Sequence, residues 1–303
     1  MRPSALPIAL LAAGAAAAET SSSNCTSGLY IVVARGTGER NGTGAFGTIA
    51  DDIAEKVDDS FIEALDYPAT FTDPLYTESE KDGVQEMQEV ILNYHEACPK
   101  AKFAVLGYSQ GGQVASDAFC GGAGGGFSEL AALPSDFVTE FFAAIVLFGD
   151  PSHVANTTFD RGTSIKDGVF ARDNVTFCEE HYGSILRSFC DTGDVYCDAG
   201  SDSDVHGSYF ATYAKDVVDF VVDNYDKLDK SSATSTSTAT PASSTATSAS
   251  SATSASSASS ATSSSAATTS APSDQGNAAS ALAPGLAFAV AVPLVLAALE
   301  MVL

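Results

Sequence analysis

Three runs of consecutive apolar residues punctuate the chain, Leu29 to Val33, Phe103 to Leu106 and Ala144 to Phe148, and a further strand is expected around Ile185 to Phe189. Uninterrupted apolar runs of this length, each stopped by polar or glycine residues, predict strands buried on both faces. Ile62, Ala64 and Leu65, ahead of Tyr67-Pro68, give a weaker further strand. Between these runs the apolar residues recur at helical spacing instead. Ile49, Ile53 and Val57 fit one crossover helix, and Val84, Met87, Ile91 and Tyr94 a second, with Thr77 and Glu80 spaced as a capping box at its start. Val114, Ala115, Ala118 and Phe119 suit a third, and Phe210, Ala214, Val217, Val221 and Tyr225 a closing amphipathic helix. Buried strands alternating with amphipathic helices predict an α/β fold of three layers, a parallel sheet with helices on both faces. The glycine-rich stretch Cys120 to Gly126 is expected to be an irregular loop. It lacks the G-K-[ST] ending of a phosphate loop, so no nucleotide site is expected there.

Composition divides the rest. Residues 1–18 have a charged start at Arg2, an apolar stretch from Leu6 to Ala13 and small residues at Ala16 and Ala18. That is the layout of a secretory signal cut before Glu19. Residues 19–230 form the globular part. Residues 231–276 are almost wholly Ser, Thr and Ala, a composition that cannot bury a core and suits an O-glycosylated stalk. Residues 277–303 pass from small residues at Asn277, Ala278 and Ala279, through a spacer with Pro284-Gly285, to an apolar tail that ends without Lys or Arg. This order matches a GPI-attachment signal with Asn277 as the attachment residue and Gly276 next, against the alternative of a retained membrane span.

The formal charge of -24 lies almost entirely in the globular part. A field of that sign repels nucleic acid and favours neutral substrates. All six cysteines, Cys25, Cys98, Cys120, Cys178, Cys190 and Cys197, follow the signal segment. In an exported chain they predict three disulfides rather than a metal site, with 15 possible connectivities. Asn24, Asn41, Asn156 and Asn174 each begin an N-x-[ST] sequon and are candidate glycosylation sites.

The chemistry centres on Gly107-Tyr108-Ser109-Gln110-Gly111, which reads G-x-S-x-G between the second apolar run and the third helix. A serine at such a strand-to-helix elbow is a candidate nucleophile, and its base and orienting acid follow in the order Ser, acid, His. His95 precedes Ser109 and fails that order. Of His153, His181 and His206, the last is favoured because it follows the final strand and precedes the closing helix. Asp194 is the preferred acid, enclosed by Cys190 and Cys197, while Asp150, Asp191, Asp202 and Asp204 remain competitors. The backbone N–H of Gln110 supplies one oxyanion donor, and Thr37, in the turn after the first strand, the second. No metal or cofactor is expected, and the chain is expected to act as a monomer on an ester substrate.

GYSQG at Gly107 to Gly111, ARGTGE at Ala34 to Glu39, and CDTGDVYC at Cys190 to Cys197 followed by His206 resemble the cutinase and acetylxylan esterase family. The resemblance runs from about Cys25 to Tyr225. It implies a small α/β-hydrolase with a five-stranded parallel sheet, Ser109, Asp194 and His206 as the triad, and Thr37 and Gln110 as oxyanion donors. It also implies Cys25 paired with Cys98 and Cys190 with Cys197, leaving Cys120 for Cys178. Cutinases proper are similar to one another in an apolar run before the histidine. Here that run is the polar Gly200 to Val205, and FGDP at Phe148 to Pro151 looks more like an acetylxylan esterase. The expected substrate is therefore a short acyl group on a plant polymer, the alternatives being cutin or a non-catalytic cell-surface glycoprotein.

Overall fold

A computed structural model describes residues 25–237. The signal segment, the sequon at Asn24, the Ser/Thr/Ala segment beyond Ser237 and the attachment residue Asn277 lie outside the described residues. Six strands, β1 (Leu29–Ala34), β2 (Phe61–Ala64), β3 (Lys102–Tyr108), β6 (Phe142–Phe148), β7 (Asp160–Gly162) and β8 (Leu186–Cys190), make one sheet in the order β2-β1-β3-β6-β8-β7. Every pairing in it is parallel.

The expected count was five strands. The sixth, β7, is a three-residue edge strand of Asp160, Arg161 and Gly162, whose backbone joins β8 although its side chains carry no apolar pattern. The Cys120 to Gly126 stretch also departs from the irregular loop expected of it. β4 (Gly122–Gly124) and β5 (Phe127–Leu130) form an antiparallel hairpin whose turn uses left-handed backbone at Gly125 (φ 58°) and Gly126 (φ 91°).

Strand residues alternate between the two faces of the sheet. Tyr30, Val32, Phe103, Val105 and Ile145 point into a core closed by α2 (Tyr76–Ala97) and α3 (Gln110–Cys120), with α4 (Ser135–Phe141) and α5 (Thr176–Tyr182) at its side. Leu29, Ile31, Val33, Ala104, Leu106 and Val146 point into the other, closed by α1 (Gly47–Lys56) and α7 (Tyr209–Ser237). The five central residues of β3 and all of β1 and β6 are buried, which is why those strands read as unbroken apolar runs.

Two element ends differ from expectation. Thr77 and Glu80 do not form a capping box: α2 starts at Tyr76 with Leu75 as a cap that makes no side-chain hydrogen bond, and Glu80 is turned into the interior at 1% exposure. At the other end of the domain α7 runs past Lys230 to Ser237, because no glycine or proline interrupts it before Pro241. The short helix α6 (Ser203–Gly207) begins at Asp202, whose side chain accepts from the Asp204 and Val205 N–H groups.

The three disulfides are Cys25–Cys98, Cys120–Cys178 and Cys190–Cys197, as the resemblance implied, with Cα separations of 5.6, 5.3 and 5.9 Å.

Candidate active site

In a parallel sheet all strands end on one edge, and ligands bind outside their carboxyl ends. Here β1 delivers the Gly36-Thr37 turn to that edge, β3 delivers Ser109, β6 Gly149, and β8 the loop that carries Asp194. Helix α6, which follows that loop, brings His206 to the same place.

The strand-to-helix turn at Ser109 is sharp. Ser109 has φ 54° and ψ -119°, a backbone conformation that L residues avoid. Its glycine neighbours are required by close approach. A Cβ at Gly107 would lie 2.3 Å from the Gly111 carbonyl oxygen, and one at Gly111 only 2.1 Å from that of Ala34. The start of α3 is thereby pressed against the end of β1.

The strain aims Ser109 at its partners. Its hydroxyl donates to His206 Nε2 at 2.9 Å, and His206 Nδ1–H donates to Asp194 Oδ2 at 2.8 Å. Asp194 Oδ1 accepts from the Tyr196 and Cys197 N–H groups at 2.7 and 3.1 Å. Burial alone would raise the Asp194 carboxyl, but the bonds from His206, Tyr209 and the Tyr196 backbone outweigh it and hold the group below the usual carboxylate range. The imidazole is flanked by two tyrosines, Tyr108 at 5.1 Å and Tyr196 at 4.7 Å between ring centres, and Tyr196 is 44% exposed. Ser109 and His206 remain 9% and 7% exposed while Asp194 is sealed, so the open end of the chain of bonds is the serine.

The competing acids are engaged elsewhere. Asp150 Oδ1 accepts from the Ser152 N–H and hydroxyl, both at 2.7 Å. Asp191 accepts from Thr163 and Tyr213, Asp202 caps α6, and Asp204 is exposed. Nor do the other histidines join the site. His95 packs on Phe137 and Phe141, His181 on Phe177, and buried His153 has Asp160 at 3.8 Å but no hydrogen-bond partner for its ring nitrogens among the described residues.

Gln110 opens α3, so its backbone N–H has no carbonyl to meet within the helix and is available to a ligand. Its buried side chain accepts from the Ser79 hydroxyl and donates to the Thr70 carbonyl, each at 2.9 Å. Thr37 is exposed in a turn built by its neighbours. Arg35 donates to the carbonyls of Glu39, Leu65, Tyr67 and Pro68 and to Asn41, while the Glu39 carboxylate accepts from the Gly36 and Ala45 N–H groups. A Cβ at Gly36 would fall 2.8 Å from the Tyr108 ring, which places this turn directly beside the elbow.

One residue of the site escapes the sequence. Tyr209, fully buried at the start of α7, donates its hydroxyl to Asp194 Oδ2 at 2.6 Å. In the chain it reads only as the first apolar position of a helix.

Comparison with known proteins identifies the family. The cutinase family model matches residues 25–225. Cutinase 11 of Verticillium dahliae is 32% identical over 73% of this chain and 76% of its own length. Acetylxylan esterase 2 of Talaromyces purpureogenus is 27% identical over 64% of this chain and 85% of its own. Among solved structures, the catalytic core domain of acetyl xylan esterase from Trichoderma reesei has a TM-score of 0.61 and 28% identity, covering 66% of this chain and 99% of that one. A strand-to-helix serine hydrogen-bonded through histidine to a buried aspartate, on a fold that these relatives share, means that the chain belongs to the cutinase family and is a serine carboxylic-ester hydrolase.

Proposed function

We propose that Ser109 is the nucleophile, His206 its base, Asp194 the group that orients the base, and Gln110 and Thr37 the oxyanion donors. The observation that carries this reading is the unbroken series of hydrogen bonds from Ser109 through His206 to Asp194. Ser109 Oγ attacks the ester carbonyl as His206 Nε2 takes its proton, and the negative charge that develops on the carbonyl oxygen meets the N–H of Gln110 and the Thr37 turn. His206 then gives that proton to the departing alcohol, leaving an acyl-enzyme. A water, deprotonated by the same nitrogen, frees the acid and restores the serine.

The substrate we infer is a short acyl ester on a neutral, hydroxylated plant polymer, of the kind acetylated xylan represents. Three observations support it: the rim Ser201 to Asp204 before His206 is polar and exposed, the exposed Tyr196 ring offers a stacking face for a sugar, and the formal charge of -24 disfavours an anionic substrate. The rival is cutin, which the exposed apolar side chains Phe71, Leu75 and Val169 favour. Phe71 and Leu75 belong to the loop that Gln110 holds through Thr70, and the Val169 N–H donates to the carbonyl of Tyr196. Acetate release from acetylated xylan should exceed release of long hydroxy acids from cutin, and Ser109→Ala should abolish both. Preferential cutin hydrolysis would overturn the substrate assignment.

The same reading makes the protein an exported glycoprotein held at the cell surface by a GPI anchor at Asn277. Asn41, Asn156 and Asn174 are all exposed, as glycan acceptors must be, and the three disulfides suit an oxidising compartment. Release of the esterase from membranes by phosphatidylinositol-specific phospholipase C tests the anchor; protein that stays bound with Leu303 in place would refute it.

A further inference from the structure

We propose that Tyr209 is a positioning residue for the hydrolysis, fixing the Asp194 carboxylate from behind so that the site works as a hydrogen-bonded unit of four residues. The proposal rests on the Ser109, His206 and Asp194 assignment above.

The two oxygens of Asp194 are held differently. Oδ1 takes its bonds from the backbone of its own loop, at Tyr196 and Cys197. Oδ2, the oxygen that meets His206, has one other partner among the described residues, the Tyr209 hydroxyl at 2.6 Å. That hydroxyl also accepts from the Asp191 N–H at 3.0 Å and lies 3.2 Å from Cys197 Sγ. A single oxygen thus touches both ends of the Cys190–Cys197 loop and the carboxylate between them. Its ring is clamped in the core against Phe148 at 5.5 Å and Tyr213 at 6.3 Å, so the reference point comes from α7 and the sheet. Burial, with the nearby Asp194 charge adding to it, pushes the Tyr209 hydroxyl far up, and the phenol keeps its proton wherever the enzyme works.

A donor on Oδ2 does more than brace the carboxylate. It takes up part of the charge that would otherwise act on the imidazolium formed when Ser109 loses its proton. Taking the hydroxyl away loosens the geometry and also leaves Asp194 a stronger partner for that imidazolium. The surrounding ionisable groups are committed elsewhere and do not substitute for it. Asp191 is bound by Thr163 and Tyr213, Asp198 by Ser164, Lys166 and the Gly193 N–H, and Glu39 by Gly36 and Ala45. The Tyr108 hydroxyl donates to the His206 carbonyl oxygen, and Tyr196 meets His206 through its ring.

The test compares Tyr209→Phe with Tyr225→Phe, whose hydroxyl meets only the Ser27 carbonyl among the described residues, in the full protein, measuring kcat and KM for p-nitrophenyl acetate across pH together with thermal unfolding. Tyr209→Phe should lower kcat about tenfold at nearly constant KM and move the acid limb of kcat/KM to higher pH by about half a unit. Tyr225→Phe should change neither. Difluorotyrosine at position 209, a stronger donor of the same shape, should move the limb the opposite way and keeps the test decisive if the phenylalanine variant unfolds. A Tyr209→Phe enzyme with unaltered kcat, or with a lower kcat and an unmoved acid limb, would show that the hydroxyl merely props the loop. Ester hydrolysis surviving in Ser109→Ala would instead remove the triad on which the inference stands.

Discussion

Ser109 is the most constrained residue of the site. Its backbone, at φ 54° and ψ -119°, costs on the order of 1–3 kcal/mol, and the surrounding contacts must over-determine it. They do so through closeness: Gly111 sits so near the Ala34 carbonyl that an added methyl group has no room. Gly111→Ala should therefore destabilise the protein by at least about 2 kcal/mol and cut activity more than tenfold, because it forces the elbow away from the Thr37 turn. Thermal unfolding and ester hydrolysis measured on the purified variant check both, and a stable, fully active variant would refute the argument. The same residue scale explains what the sequence made legible. The elbow follows from a buried strand, two glycines and a helix in immediate succession, and His206 from its place after the last strand. Asp194 is preferred to Asp150 in the sequence for its place after the last strand inside the Cys190 to Cys197 loop, with Asp150 left as a competitor at an earlier strand end; the structure separates them because the Asp150 carboxylate turns to Ser152. Tyr209 left no signal, because which way its hydroxyl points depends on how α7 rotates against the Asp194 loop.

At the level of elements, the apolar runs located β1, β3 and β6 and the helical spacing located α1, α2, α3 and α7, while features that carry neither signal went unseen. β7 and the β4–β5 hairpin belong to that group. So does the start of α2, where Glu80 misleads as a capping residue because its place is the interior between α2 and α3. There burial, reinforced by the Asp117 charge, raises the Glu80 carboxyl to about 9, and burial raises Asp117 as well. Asp117 is in turn bound by the Arg172 guanidinium, which also bonds Ser116, Ser152 and Gly121. The sign follows from linkage. Between the ordinary glutamate value of 4.5 and about 9 the folded protein keeps a proton on Glu80 that the unfolded chain releases, so stability falls as pH rises through that window. The slope is at most about 1.4 kcal/mol per pH unit. Glu80→Gln, neutral at every pH, should melt at the same temperature as the parent near pH 4 and clearly higher near pH 8. Parallel melting curves of parent and variant across that range would argue against a proton held at Glu80.

At the scale of the whole domain, the sheet places its longest-range disulfide and the proposed catalytic residues at opposite edges. Cys25 precedes β1 and Cys98 precedes β3, so their bridge lies at the strands' amino ends, while Ser109, Asp194 and His206 gather at the carboxyl ends. Cys25–Cys98 spans 73 residues and Cys190–Cys197 only 7. Loop-closure entropy then assigns about 4 kcal/mol to the first and about 2.5 kcal/mol to the second. Their effects on chemistry should run the other way. Replacing Cys25 and Cys98 with serine should lower the melting temperature strongly yet leave kcat of the folded enzyme near the parent value, since that bridge lies at the opposite end of the strands from Ser109, Asp194 and His206. Replacing Cys190 and Cys197 should lower it less but cost far more in kcat, because the loop that offers Asp194 to His206 loses its closure and the Cys197 sulfur beside Tyr209 is no longer held. Melting temperature and kcat measured on both double variants decide the matter. If the two lose activity in simple proportion to their loss of stability, the short disulfide is only another brace for the fold and has no distinct part in holding the acid of the triad.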